Sequence, residues 1–141
     1  MTVATGVKAT DGRHYQLEFC TGDNYVTAWI KLNRRPVGCA KLLLHESIAE
    51  LADIQIFNRV PILSRLFQTF PLSLFAKDFR CRGIGSLFLS AVCDHLRNSG
   101  ISRIEGTMSG DIERLTRWYR RAGFEVDHVS KAISKVLVVP N

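Results

Sequence analysis

The chain has 141 residues, of which 46% are hydrophobic and 23% are charged, and its formal net charge is +6. These values are typical of one globular domain with a sizeable core, residues 1–141, and they exclude a disordered chain. The positive charge favours an anionic partner. Because no long lysine and arginine run accompanies it, a small phosphorylated molecule is favoured over nucleic acid.

The cysteines and the start of the chain exclude further classes. The four cysteines, at positions 20, 39, 81 and 93, form no C-x-x-C pair and no set with histidines at zinc spacing. We therefore expect free thiols of a reducing compartment and no metal site. No signal-peptide pattern and no long apolar stretch is present, so we expect a cytoplasmic protein without a membrane span.

The N-terminal third predicts a meander of strands. Residues 14–20 alternate loosely, residues 24–32 are rich in β-branched and aromatic side chains, and residues 37–45 form a third strand. Turn segments at residues 21–24 and 33–36 separate them.

The next segment, residues 49–57, predicts a central strand after a turn at residues 46–48. With a period of two, Glu50 shares a face with Ile54, and Asp53 lies on the opposite face unless a bulge intervenes.

An apolar insertion follows at residues 58–77, where large apolar side chains at helical spacing predict a short amphipathic helix. The apolar segment 61–75 needs a partner surface: it could form one wall of a substrate site, contact a second copy of the chain in a homodimer, or touch membrane lipid. In a competing interpretation, residues 72–76, and not residues 49–57, form the central strand, which then leads directly into the following loop.

That loop is rich in glycine and opens an amphipathic helix at residues 84–97. Gly83 and Gly85 let the backbone approach a ligand, and the free N–H groups of the first helical turn point into the same space. Arg80 and Arg82 add positive charge. The loop predicts an anion site suited to pyrophosphate, and plain turn geometry is the alternative.

The C-terminal part predicts a strand at residues 101–108, a helix at residues 112–121 and a closing antiparallel pair at residues 124–129 and 132–139. Gly123 ends the helix. This order predicts an α+β fold, or mixed α/β fold, with one central, mostly antiparallel twisted sheet and a few flanking helices.

Two motifs resemble those of a known family. Arg80-x-x-Gly83-x-Gly85 resembles the Arg/Gln-x-x-Gly-x-Gly/Ala signature of the GCN5-related N-acetyltransferase (GNAT) superfamily, and residues 119–125 resemble its Tyr-x-x-x-Gly-Phe-Glu segment. The resemblance covers residues 36–139. It implies a single GNAT-like domain that binds acetyl-CoA and transfers its acetyl group directly to an amine in a ternary complex.

The resemblance also implies where the cofactor binds. The CoA pyrophosphate would lie on the loop residues Arg80, Cys81, Arg82, Gly83, Ile84, Gly85 and Ser86. The pantetheine arm would lie along Ile54, Gln55, Ile56 and Phe57, where a bulge in family members separates the strand from its neighbour. In the competing interpretation, residues 71–76 are the pantetheine strand.

For the chemistry, the resemblance implies that Tyr119 protonates the leaving thiolate, and packing on the inner helix face is the alternative. Glu50 is the candidate base, with Asp53 as the second choice. The four-residue gap at 21–24 is too short for the family's usual pair of N-terminal helices, which wall the acceptor site. A non-catalytic acyl-CoA-binding regulatory or scaffold module is therefore the alternative function, and the acceptor, acyl chain and oligomeric state stay open.

Overall fold

The computed structural model describes residues 2–9, 12–56 and 83–137. The predicted cofactor residues Phe57, Arg80, Cys81 and Arg82 lie outside the described residues. So does the insertion at residues 58–77, with its apolar segment and the competing strand.

Eight strands and two helices make up the described part of the chain. The strands are β1 (Thr2–Lys8), β2 (His14–Thr21), β3 (Tyr25–Leu32), β4 (Arg35–His45), β5 (Ile48–Ile56), β6 (Arg103–Thr107), β7 (Glu125–Val126) and β8 (Ala132–Val136). The helices are α1 (Ile84–Asn98) and α2 (Ile112–Arg121).

The strands form one sheet in the order β1-β2-β3-β4-β5-β6-β8-β7. Every neighbouring pair of described strands is antiparallel except β5 and β6, which are parallel and are joined through α1. The predicted α+β class with a mostly antiparallel sheet is confirmed. Residues 12–56 contain strands and turns only, so the two helices that the family usually places near its N-terminus are missing from this region.

Strand β1 is an element that the sequence pattern did not predict. Six of its seven residues are exposed, because the strand lies at the edge of the sheet and pairs only with β2. An edge strand without a buried face carries no alternation of apolar and polar residues.

A bulge in β5 changes which side chains share a face. Lys41 on β4 pairs with Asp53, but the next residue, Leu42, pairs with Leu51, so Ala52 is an extra residue on β5. An extra residue shifts the alternation by one position. Asp53 and Gln55 therefore lie on the same face as Glu50, and Ile54 lies opposite Glu50. The exception that the sequence analysis allowed, a bulge in this strand, therefore applies, and the strict period of two does not hold beyond Ala52.

The apolar face of α1 anchors that helix against the sheet. Ile84, Phe88 and Leu89 have no exposed surface, and Leu96 is 1% exposed. Burying side chains of this size stabilises the fold by about 1.5–3 kcal/mol each. This packing fixes the position of the N-terminal end of α1 relative to β5.

The pairing of β5 with β6 is short, because β6 ends at Thr107. Ile48 to Leu51 pair with Arg103 to Gly106, and β5 then continues to Ile56 without a partner on β6. Gly106 permits the close approach at the last pair, since a Cβ there would lie 3.2 Å from the Leu51 carbonyl oxygen. No described strand therefore pairs with residues 52–56 of β5 on the side of β6, and we refer to this edge of β5 as the opening.

Candidate active site

The first turn of α1 is an uncapped helix N-terminus near this opening. Gly83 is the N-cap residue, with a left-handed φ of 75°, and no side chain of the described residues accepts a hydrogen bond from the first turn. The turn contains no acidic residue. Its free N–H groups and the positive end of the helix dipole therefore favour an anion, as the glycine pattern predicts.

Gly85 is the point where three elements of the site approach one another. A Cβ on Gly85 would lie 3.4 Å from Cζ2 of Trp118 on α2 and 3.6 Å from Cγ1 of Ile56 on β5. The absence of a side chain at this position lets the end of β5, the start of α1 and the indole of α2 share one small volume. The predicted phosphate loop and the predicted pantetheine strand are thus adjacent.

The predicted pantetheine residues line the open border of β5. Ile56 is buried, Ile54 is half-buried and Gln55 is exposed. The Gln55 side chain donates a hydrogen bond from Nε2 to Oδ2 of Asp53 at 3.0 Å. β6 does not pair with this part of β5, so these residues lie beyond the last pair between the two strands.

Helix α2 holds the predicted acid, Tyr119. The helix begins at an N-cap aspartate, Asp111, whose side chain accepts a hydrogen bond from the N–H of Arg114. The Tyr119 ring is 5% exposed and packs edge-on against Phe124, with ring centroids 5.3 Å apart. Both predictions for Tyr119, an inward-facing aromatic and a residue beside the site, are thus compatible with its position.

The electrostatics of Tyr119 favour a neutral phenol. Burial, and secondarily the negative charge of Asp53, raise the pKa of Tyr119 to about 12. The hydroxyl therefore stays protonated throughout the physiological range and is available as a hydrogen-bond or proton donor.

The two candidate carboxylates occupy different parts of the same face. Glu50 lies where β5 is still paired with β6, its side chain is 55% exposed, and its Oε2 lies 3.5 Å from Nε2 of His45. Asp53 is half-buried, follows the bulge and is close enough to Tyr119 to influence its titration. The structure thus associates Asp53 with Tyr119, and it places Glu50 at the start of the opening.

Trp118 is a residue of the site that the sequence analysis did not select. Its indole Nε1 donates a hydrogen bond to Oγ of Ser86 at 3.1 Å, and this contact joins α2 to the predicted phosphate loop. The two residues are 32 positions apart, and no local pattern indicates the pair. Its position directly before Tyr119 is the one signal that the sequence carries for it.

Other side chains of the described part contribute less to the site. The four arginines of α2, at positions 114, 117, 120 and 121, are exposed, and none forms an ion pair with a described residue. Among the described residues, no cluster of His, Cys, Asp or Glu could hold a metal ion. No described helix is both long enough and apolar enough to cross a membrane.

Solved structures with this fold include several acyltransferases. The ribosomal-protein-S18-alanine N-acetyltransferase of Escherichia coli aligns with a TM-score of 0.59 at 13% identity, over 100% of this chain and 97% of that one. The PaiA N-acetyltransferase of Thermoplasma acidophilum, solved with coenzyme A, aligns with a TM-score of 0.58 at 15% identity, over 80% of this chain and 61% of that one. A cAMP-binding acyltransferase of Mycobacterium smegmatis aligns with a TM-score of 0.66 at 11% identity, over 99% of this chain and 50% of that one.

At these identities the structural likeness shows the fold. No curated protein matches the chain in sequence. The sequence model of the acetyltransferase (GNAT) family, however, matches residues 4–124, which is most of the chain. The chain therefore belongs to the GNAT acetyltransferase family.

Proposed function

We propose that this chain is an acetyl-CoA-dependent N-acetyltransferase that transfers an acetyl group to an amine by direct attack in a ternary complex. The observation that carries the proposal is that the end of β5, where β6 no longer pairs with it, lies close to the N-terminus of α1, which no described side chain caps. Tyr119, a buried tyrosine that stays protonated, packs against Trp118, whose indole lies next to Gly85 at the start of α1. Family membership favours the same chemistry.

The cofactor fits the donors that border the opening. The N–H groups of Ile84, Gly85 and Ser86 would bind the pyrophosphate, together with the loop residues Arg80, Cys81 and Arg82 predicted from the sequence. The backbone of residues 54–57 would pair with the amides of the pantetheine arm. Bound in this way, acetyl-CoA supplies an activated thioester.

The side chains supply a donor and an acceptor of protons. Tyr119 donates its phenolic proton, or a hydrogen bond, to the leaving thiolate, because its raised pKa keeps it protonated. A carboxylate on the same face of β5 accepts the proton of the attacking amine, directly or through a water. Glu50 is the first choice from the sequence, whereas the lower exposure of Asp53 and the contribution of its charge to the raised pKa of Tyr119 support Asp53.

The missing N-terminal helices favour a second candidate function, a non-catalytic acyl-CoA-binding module. Residues 12–56 form strands and turns only, so the wall that usually surrounds the acceptor is not built from this region. A module of this kind would bind acetyl-CoA without releasing CoA when an amine is present.

The first experiment is a calorimetric titration of acetyl-CoA into the wild-type protein and two variants. Gly85→Glu places a carboxylate among the free N–H groups of the first turn and should abolish binding through charge repulsion and steric block. Ser90→Glu adds the same charge to an exposed position farther along α1 and should bind normally. Absence of binding by the wild-type protein would refute both candidate functions.

The second experiment separates the two functions. A free-thiol assay with acetyl-CoA should show CoA release only when a suitable amine is supplied from a panel of amino acids, polyamines and peptides. Binding without release for any amine would favour the non-catalytic module. Tyr119→Phe serves as the chemistry control, since it keeps the ring and removes only the hydroxyl.

A further inference from the structure

The hydrogen bond between Trp118 and Ser86 constrains the Ser86 hydroxyl. An indole N–H can only donate, so in the 3.1 Å contact the Ser86 Oγ must be the acceptor. A hydroxyl that accepts one hydrogen bond still has its own proton to donate. The Ser86 proton therefore points away from Trp118 and has no acceptor among the described residues.

Ser86 is placed where such a proton can reach an anion. It is the third residue of α1, after the N-cap Gly83, and it is exposed. Its hydroxyl therefore lies beside the free N–H groups of the first turn. These groups and the hydroxyl together present several donors on one surface.

We propose that Trp118 is a positioning residue, which orients the Ser86 hydroxyl as a donor to the pyrophosphate of bound acyl-CoA. The proposal rests on the proposed function, because it assumes that acyl-CoA binds at the N-terminus of α1. It assigns a role to the residue directly before Tyr119 that helix packing alone does not require.

The indole is itself held from two sides, which makes it a suitable support. Its Cζ2 atom lies 3.4 Å from the position that a Cβ on Gly85 would occupy, so the ring covers that glycine. Its ring centroid lies 4.8 Å from that of Tyr119, at an interplanar angle of 53°. An aromatic group packed in this way loses little further freedom when it makes its hydrogen bond.

The test compares CoA with pantetheine, which lacks the pyrophosphate. Trp118→Phe removes the indole N–H and keeps an aromatic ring, and Ser86→Ala removes the hydroxyl. Each change should weaken CoA binding about tenfold, which corresponds to about 1.4 kcal/mol. Pantetheine binding should stay within about twofold of wild type, because its contacts lie on β5.

The double variant tests whether the two residues act through one interaction. If Trp118 acts through Ser86, the double variant should bind CoA about as weakly as either single variant. The matched control is Trp29→Phe, which changes the other tryptophan, on β3, and should leave both ligands unaffected. Circular dichroism of each variant establishes that it is folded.

The outcomes distinguish this proposal from the proposed function. If the wild-type protein binds CoA, two results would overturn the positioning role and leave the CoA site intact. One is a loss of CoA affinity in the double variant that equals the sum of the two single losses. The other is an equal loss of affinity for CoA and for pantetheine in Trp118→Phe. Failure of the wild-type protein to bind CoA would overturn both. A spectroscopic readout is independent of affinity: in ¹⁵N-tryptophan-labelled protein, Ser86→Ala should move the indole N–H resonance of Trp118 and leave that of Trp29 in place.

Discussion

Glu50 and Asp53 lie on the same face of β5, because Ala52 is inserted between them as the extra residue of a β-bulge. In a regular strand, residues three apart point to opposite faces. The bulge thus brings both candidate bases to one surface of the sheet. They differ in their position relative to the end of the pairing between β5 and β6. Glu50 is in the paired segment and Asp53 is beyond it.

This division predicts unequal effects of removing the two carboxylates. If Asp53 is the base, Asp53→Asn should lower kcat/KM for acetyl transfer about 100-fold or more, whereas Glu50→Gln should lower it by less than about threefold. Steady-state kinetics of CoA release with a saturating amine measure both. The reverse order of effects would assign the base to Glu50, and equal small effects would show that neither carboxylate removes the proton.

A second prediction concerns Gly38, which faces the end of the proposed pantetheine strand. A Cβ at Gly38 would lie 2.7 Å from Cδ1 of Ile56 and 2.9 Å from the Gln55 carbonyl oxygen. The carbonyl belongs to the backbone and cannot rotate away. Gly38→Ala should therefore displace the end of β5, destabilise the fold by roughly 1–3 kcal/mol and weaken acetyl-CoA binding.

The control for Gly38 is the same substitution in another strand. Gly6 on β1 has no atom within 4 Å of an added Cβ. Gly6→Ala should leave stability unchanged or raise it slightly, because alanine reduces the entropy of the unfolded chain. Urea denaturation of both variants measures the difference. A Gly38→Ala variant as stable as Gly6→Ala would contradict the crowded packing at β5.

The two helices could be predicted from sequence because their signals are local. Apolar spacing indicates residues 84–97 against the observed Ile84–Asn98, and Asp111 and Gly123 mark the ends of α2. Each of these features depends on residues within a few positions of one another.

Two features of the site depend on distant residues: the position of the bulge, which the family resemblance implied for this strand without locating it, and the contact of Trp118, which was not predicted. The bulge at Ala52 is defined by the pairing of β5 with Lys41 and Leu42 on another strand. The contact of Trp118 with Ser86 spans 32 positions. Neither is expressed in hydrophobic periodicity, because periodicity reports which face is buried and not the register of a neighbouring strand.

A third prediction follows from the stacking of His95 on Phe19. The two rings lie 4.1 Å apart with an interplanar angle of 4°, and the buried Nε2 of His95 has no hydrogen-bond partner in the described part of the chain. Burial lowers the pKa of His95. At pH values between the pKa of His95 in the unfolded chain and its lower pKa in the folded chain, the unfolded chain binds more protons than the folded one. Stability should therefore fall as the pH drops below about 6.5.

The variant His95→Phe keeps a stacked ring and removes the titration. Its free energy of unfolding should depend less on pH than that of the wild type between about pH 5 and pH 8. His128→Phe, at an exposed position, is the matched control and should keep the wild-type dependence. Urea midpoints across this range measure the effect, and parallel curves for His95→Phe and the wild type would refute it.

The fourth prediction concerns Tyr119 at high pH. Its folded pKa of about 12 lies above the ordinary value of 10.0, because burial and Asp53 both disfavour the phenolate. The stability associated with the neutral phenol is complete below about pH 10 and is lost as the pH rises toward the folded pKa, since the unfolded chain releases the proton first. The loss should amount to roughly 3 kcal/mol at most.

Comparison of variants isolates this contribution from the other groups that titrate in the same range. As the pH rises above about 10, the free energy of unfolding of the wild type should fall relative to that of Tyr119→Phe, because only the wild type carries the buried phenol. Tyr25→Phe, at a residue that is 44% exposed, is the control, and its free energy of unfolding should change with pH in parallel with that of the wild type. A phenolate absorbance transition of Tyr119 near its ordinary pKa would contradict the buried, neutral state.

In catalysis, Tyr119→Phe should lower kcat about 100-fold with little change in acetyl-CoA affinity, because the phenol acts on the leaving thiolate and not on the bound pyrophosphate.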